Sequence, residues 1–293
     1  MFNCRAPRRI ALAIVVVVSW LVGWAASAGA ETVAMVTDAT GGVTLQAGSG
    51  KGDITILAEI DANARLQLAP AANVVVMYLR SGDEYTMRGP AVIEFSATAP
   101  VAVSGAQPVK RSSPLATGGA AVRIKPMRVT QAALVMRSAR PAARIKLLNH
   151  SGTQTLETRA EFQWQAPQPG LKYRFELTDD TGRTLHEAQL ETTALKLPAS
   201  VQLLDGVPYT WEVSARLPDG RKYSNAGDFS VAPASVRAQA EALRPAASTP
   251  LSSRVAYAAW LDQMELKDEA RKYWRMLSAE RPEDARLKTL AAE

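Results

Sequence analysis

Few side chains in this sequence are of the kinds that carry chemistry. There are two histidines, His150 and His186. A metal centre needs three or four nitrogen, sulfur or carboxylate donors converging on one point. Neither histidine has a cysteine or an acid at ligand-like spacing, so both read as solvent-facing loop or strand residues. The single cysteine is Cys4. The rest of the chain therefore has no thiolate nucleophile, no disulfide and no sulfur ligand. A serine on a strand-to-helix elbow would need Gly-x-Ser-x-Gly, and the sequence has none. Gly48-Ser49-Gly50-Lys51-Gly52-Asp53 carries the glycines of a phosphate-cradling loop. It lacks the hydroxyl residue after the lysine and leads into no helix, so it reads as a hairpin loop. Asp179 and Asp180 offer two carboxylates to a cation, yet Asp-Asp-Thr-Gly is common turn chemistry between strands. Glycosyl transfer needs two acids converging across a cleft; here the acids gather in turns and on helical segments. The expectation is a protein without catalytic residues, cofactor or metal.

Charge is the more informative chemistry. The formal net charge is +6, and three of the positive charges are Arg5, Arg8 and Arg9. No Asp or Glu occurs between Glu94 and Glu157, while Lys110 and Arg111 begin a run of nine cations in that interval. Its later members are Arg123, Lys125, Arg128, Arg137, Arg140, Arg144 and Lys146, the candidate anion-binding residues. A stretch of one sign attracts anions. Anionic lipid, lipopolysaccharide phosphates and acidic proteins are the candidate partners. The alternative is a spacer kept soluble by its charge. Nucleic acid is not expected, because the stretch has no aromatic residue to stack on bases.

The first 30 residues set the compartment. A basic start is followed by the apolar run from Ile10 to Trp24 and by the small residues Ala26-Ser27-Ala28 and Ala28-Gly29-Ala30. This is the order of a secretory signal peptide cleaved near Ala30. The alternative is an inner-membrane anchor over residues 10–30, since about 20 apolar residues span a bilayer. Either way the bulk of the chain lies outside the cytoplasm. The lack of disulfides favours a bacterial periplasm.

These residues need a scaffold, and the pattern for one is mainly β. Over residues 31–108, short β-prone runs alternate with Gly, Asp, Asn and Pro. Ala91-Val92-Ile93-Glu94-Phe95 alternates cleanly. Val74 to Leu79 is apolar throughout and reads as a central strand covered on both faces. Ser81-Gly82-Asp83 supplies a hairpin turn, Gly82 taking positive φ. The pieces Gly42-Val43-Thr44-Leu45, Ile60 to Leu68 and Val74 to Met87 resemble the FecR-like domain of bacterial envelope proteins. The resemblance covers about a quarter of the chain and implies a periplasmic sensory or scaffolding module. Residues 109–136 then read as a basic linker.

Residues 137–233 alternate more strongly. Phe162 and Trp164 share a face, as do Tyr173, Phe175 and Leu177, and Tyr209, Trp211 and Val213. Some seven strands in this length suggest an immunoglobulin-like β-sandwich. Phe162-x-Trp164, Tyr173-x-Phe175-x-Leu177 and Leu203-Leu204-Asp205-Gly206-Val207-Pro208-Tyr209-x-Trp211 resemble a fibronectin type III domain. The resemblance implies that Tyr209 packs inward with its hydroxyl reaching back to the chain upstream. The first strand is placed at Arg144 to Leu148.

Residues 234–251 read as a linker, and residues 252–293 as a short α-helical hairpin. Ser252 or Ser253 can cap the first helix and Asp268 the second. Pro282 stops the second helix, and Leu287 and Leu290 mark a third piece. Ala256 to Pro282 is similar to one tetratricopeptide-type pair. One such pair cannot bury its own apolar face, so it docks on its own chain, dimerises or receives a partner.

The whole reads as a non-enzymatic periplasmic binding or scaffolding protein acting on envelope proteins or peptidoglycan. The alternatives are a ligand-sensing accessory subunit of an envelope transport or signalling complex, and an enzyme of unrecognised type.

Overall fold

The computed structural model describes residues 31–47, 50–113, 145–217 and 220–292. The first module is built from short strands broken by turn residues. In order they are β1 (Thr32–Thr40), β2 (Val43–Ala47), β3 (Gly50–Asp53), β4 (Glu59–Asp61) and β5 (Arg65–Leu68). Then come β6 (Asn73–Tyr78), β7 (Glu84–Arg88), β8 (Ala91–Phe95), β9 (Pro100–Ser104) and β10 (Val109–Arg111). They pair into two sheets, β10-β7-β6-β1-β4 and β3-β2-β5-β8-β9. Leu66, Ile93 and Phe95 of one sheet meet Val74, Val76 and Tyr78 of the other in a common core. Gly82 turns the β6–β7 hairpin with φ of 72°, as its sequence requires. Gly50–Asp53 of the glycine-rich segment pair with β2 as one strand of a hairpin.

The unbroken apolar character of β6 has a structural cause. Val74, Val76 and Tyr78 face the second sheet. Met77 and Leu79 face the other way, into a cluster formed with the C-terminal helices. Successive strand residues point to opposite sides, so a strand covered on both sides needs apolar residues at every position. The domain boundary differs from the expected one. Residues 109–111, expected to open the linker, form β10 and extend the first module's sheet.

The second module comprises β11 (Lys146–Leu147), β12 (Thr153–Thr155), β13 (Glu161–Gln165) and β14 (Tyr173–Asp179). It continues with β15 (Thr184–Leu190), β16 (Ala194–Lys196), β17 (Pro208–Arg216) and β18 (Lys222–Val231). Its sheets, β11-β13-β16 and β12-β18-β17-β14-β15, make an immunoglobulin-like sandwich. β11 pairs with β13 in one sheet, whereas β12 runs parallel to β18 in the other. The first edge segment thus changes sheets between Leu148 and Gly152. Phe162, Trp164, Tyr173, Phe175, Trp211 and Phe229 fill the interior. The Tyr209 hydroxyl accepts the backbone N–H of Leu204 at 2.7 Å, the corner expected upstream of β17.

Four helices follow among the described residues: α1 (Ala234–Leu243), α2 (Leu251–Gln263), α3 (Lys267–Glu280) and α4 (Ala285–Ala292). α1 occupies the segment expected to be a linker. Its only large apolar residues are Val236 and Leu243, but with Ala240 they recur at helical steps and pack into the helical cluster. α2 is buried nearly all round, which its Val255, Ala256, Ala258, Ala259 and Leu261 permit. One side of α2 lies on β1 and β6, and α3 reaches β12 of the sandwich. Met35, Met77 and Leu79 therefore share a core with Trp260, Trp274 and Leu277. The apolar face of the helices is covered by the chain itself. No helix among the described residues is long and apolar enough to cross a membrane.

The helix caps differ from those expected. Pro250 holds the N-cap position of α2, with Ser252 and Ser253 inside its first turn. Their hydroxyls donate to the Glu84 carboxylate at 3.2 and 3.1 Å. Glu84 is 1% exposed and also pairs with Arg111. A buried carboxylate needs donors on all sides, and here it takes them from β10 and α2 together. Asp268 likewise sits inside the first turn of α3, whose N-cap position is Leu266. Thr153 of β12 caps this helix from outside, its hydroxyl accepting the N–H of Lys267 at 3.0 Å.

Candidate functional site

The seam between the sandwich and α3 holds a charged cleft. It forms where the chain crosses from β11 to β12. Asn149 bridges that crossing to β13: its amide donates to the Glu161 carbonyl at 2.7 Å and accepts the Gln163 N–H at 2.9 Å. His150 follows with φ of 51°, in the left-handed region. Its neighbours hold it there. Its N–H donates to Asp268 Oδ2 at 2.7 Å, and its carbonyl accepts the indole N–H of Trp211 at 2.7 Å. Gly227 makes room for this bond. A Cβ at Gly227 would stand 2.9 Å from both the His150 oxygen and Trp211 Nε1.

His150 does not face solvent as expected. Its ring lies between Phe162 at 5.2 Å and Phe229 at 5.3 Å, closing one end of the sandwich. Burial holds its pKa below the ordinary imidazole value, against the opposing pull of Asp268 and Glu157. Nδ1 faces Asp268 Oδ2 at 3.7 Å and has no hydrogen-bond partner. Sequence spacing gave no sign of this, since residue 268 lies 118 positions away. The available signal was Asn149-His150-Ser151-Gly152, a turn-prone run inside a β pattern. His186 is half-buried on β15, 6.3 Å from the Phe175 ring and apart from the cleft.

The main part of the cleft, about 240 Å³, is lined by His150, Thr155, Glu157, Glu161, Asp268 and Arg275 among others. A second part, about 170 Å³, adjoins it across Asn149, Asp268 and Arg271 and reaches Lys146. On α3 itself the charges answer one another: Asp268 with Arg271 at 2.7 Å and Glu269 with Lys272 at 2.7 Å. The arrangement can bind a small polar group. It presents no aligned nucleophile and base.

Of the other sequence candidates, Lys146 lines the cleft. Arg123, Lys125, Arg128, Arg137, Arg140 and Arg144 lie outside the described residues. Lys146 is exposed on β11 at the outer part of the cleft. Asp179 already accepts from the Thr181 hydroxyl at 2.6 Å, the Thr181 N–H at 3.1 Å and the Arg183 N–H at 3.0 Å. The Thr181 hydroxyl, foremost among these donors, holds the Asp179 carboxyl below its usual range. Asp179 is a turn residue. Among the described residues, no group of three or more His, Cys, Asp or Glu is placed to hold a metal ion.

No family model matches the chain, and none of the curated proteins does. Several solved structures are weakly similar to parts of the chain. CopC from Methylosinus trichosporium OB3b is 16% identical over 31% of this chain and 96% of its own, with a TM-score of 0.23. The fn3 domain of the human collagen alpha-1(XX) chain is 19% identical over 38% of this chain and 90% of its own, with a TM-score of 0.23. PorZ, a surface component of the type-IX secretion system of Porphyromonas gingivalis, is 9% identical over 63% of this chain and 24% of its own, with a TM-score of 0.20.

Proposed function

We propose that the protein is exported and non-enzymatic, and that it binds or holds together partners in the bacterial envelope, either proteins or cell-wall material. The observation that carries this reading is how the helices are used. Their apolar faces are consumed in joining both β-modules, and what faces outward at the seam is a small charged cleft. Such a body suits holding and recognition. The basic start, apolar run and small residues of positions 1–30 support export. The resemblance of residues 42–87 to FecR-like domains supports a periplasmic scaffolding or sensory role.

Crosslinking in intact cells followed by pull-down tests this reading, with sedimentation on isolated sacculi beside it. Recovery with sacculi or with a defined envelope protein is the expected result. Finding the polypeptide in the cytosol with its first 30 residues intact would end the proposal. A second reading is a ligand-sensing accessory subunit. The position of the cleft favours it, because a ligand there would touch both the sandwich and α3. Recovery in a single inner- or outer-membrane complex distinguishes it.

A further inference from the structure

We propose that the cleft between the sandwich and α3 binds a short peptide carrying both a free ammonium group and a carboxylate. This rests on the reading of the protein as an envelope binding protein and names what its cleft would take. The size fits a fragment. Small-molecule sites commonly run from about 300 to 1,000 Å³. The two parts here, about 240 and 170 Å³, together suit two or three residues, too few for a folded partner.

The walls differ in charge from one end to the other. Among the described residues, the Glu157 side chain has no hydrogen-bond or ion-pair partner, and the Glu161 carboxylate accepts only the Gln163 amide, at 3.0 Å. Both line the main part. Lys146 and Arg275 have no acidic partner among the described residues; Lys146 lines the outer part and Arg275 lines both. Two carboxylates without a cationic partner thus stand in the main part and one ammonium without an acidic partner in the outer part, with Arg275 and the Asp268–Arg271 pair where the two meet.

The floor supplies a second, independent observation. His150 is 6% exposed, and its Nδ1 has no hydrogen-bond partner. It lies 3.7 Å from Asp268 Oδ2, which is itself occupied by the His150 N–H at 2.7 Å. An ammonium group entering beside Glu157 answers that carboxylate and stands near the buried, unpartnered ring nitrogen. A simple anion would answer Lys146 and Arg275 but meet Glu157 and Glu161. A neutral sugar would leave all four charges unanswered. A zwitterion satisfies both ends.

Two sources offer this chemistry: the stem peptides of the cell wall, and free linear peptides. Titration calorimetry on the purified chain separates them. The probes are L-alanyl-γ-D-glutamyl-meso-diaminopimelate and the linear peptide Ala-Glu-Lys. At least one should bind, and acetylating its amines should weaken it by about tenfold or more, as should amidating its carboxylates. Glu157→Gln with Glu161→Gln should reproduce the loss caused by acetylation and show no further loss with the acetylated probe. Lys146→Gln with Arg275→Gln should do the same for amidation. Unchanged melting curves show that these surface variants stay folded. Preference for the diaminopimelate probe identifies wall peptides; equal binding identifies linear peptides. Failure of both probes to bind the natural chain overturns the proposal. So does binding that is indifferent to blocking and to both pairs of substitutions. Purified protein and isolated peptides keep this outcome separate from where the protein resides, which sacculus and crosslinking experiments decide.

Discussion

The indole N–H of Trp211 donates to the carbonyl of His150 at 2.7 Å, tying the centre of the sandwich to the point where its edge strand changes sheets. Both groups are buried, so neither has water as a substitute. Trp211→Phe should therefore cost about 3 kcal/mol, from an unanswered carbonyl and lost ring volume. Gly227→Ala should cost about 1–3 kcal/mol by forcing a methyl against the same oxygen. Urea unfolding midpoints measure both. A Gly227→Ala protein as stable as the natural one would show that this approach is not tight.

Stability should fall in mild acid because of His150. Its buried imidazole protonates below the ordinary value of about 6.5. As pH drops through that value the unfolded chain takes up a proton and the folded one does not, so the balance moves toward unfolding. The loss stops once pH passes below the folded pKa. His150→Gln should flatten this part of the profile relative to the natural protein, with urea midpoints compared from pH 8 to 5. Parallel profiles would remove His150 as the source.

Glu84 should matter out of proportion to its place at the start of an outer hairpin. Glu84→Ala leaves Arg111, Ser252 and Ser253 without their common acceptor. A loss of about 2–3 kcal/mol is expected. α2 should become more open to proteases, with cleavage near residues 244–250 rising first. Unaltered cleavage there would mean that packing alone holds the helix.

The expectations from sequence succeeded where a local pattern had a local cause. Tyr209-x-Trp211-x-Val213 could only be one face of a strand, and the interior of the sandwich followed from it. Val74 to Leu79 was legible as a strand covered on both faces, though nothing nearby told what the second cover was. It is α2, which begins 172 residues after Leu79. His150, Glu84 and Asp268 were misread or missed for the same reason. Their partners are set by tertiary packing, and their neighbours in sequence resemble ordinary turns. Ser252 and Ser253 had the chemistry of caps, yet the stronger claim on their hydroxyls came from a buried carboxylate on another module. α1 escaped notice because Pro245 and the short alanine-rich run after it look like spacer.

Tyr209→Phe should cost about 1 kcal/mol, the worth of one partly buried hydrogen bond to the Leu204 N–H. Thermal melting of the purified protein measures it. The fold should otherwise survive, because the ring keeps its place against Phe229. A neutral substitution would leave the corner without a stabilising role.

The basic stretch before the sandwich is testable without reference to its conformation. Reversing Arg123, Lys125 and Arg128 to glutamate should abolish salt-sensitive binding to anionic vesicles, each basic residue contributing about 1 kcal/mol near such a surface. Binding that is unchanged, or absent in the natural protein, would leave the stretch as a spacer.

Met35, Met77 and Leu79 are covered by helices that lie far downstream in the chain. Until roughly position 290 has emerged, the outward side of the first module is a wet, oily sheet, which is the kind of surface that recruits chaperones or sticks to its neighbours. A cut between the sandwich and the helices would leave that face of the first module bare.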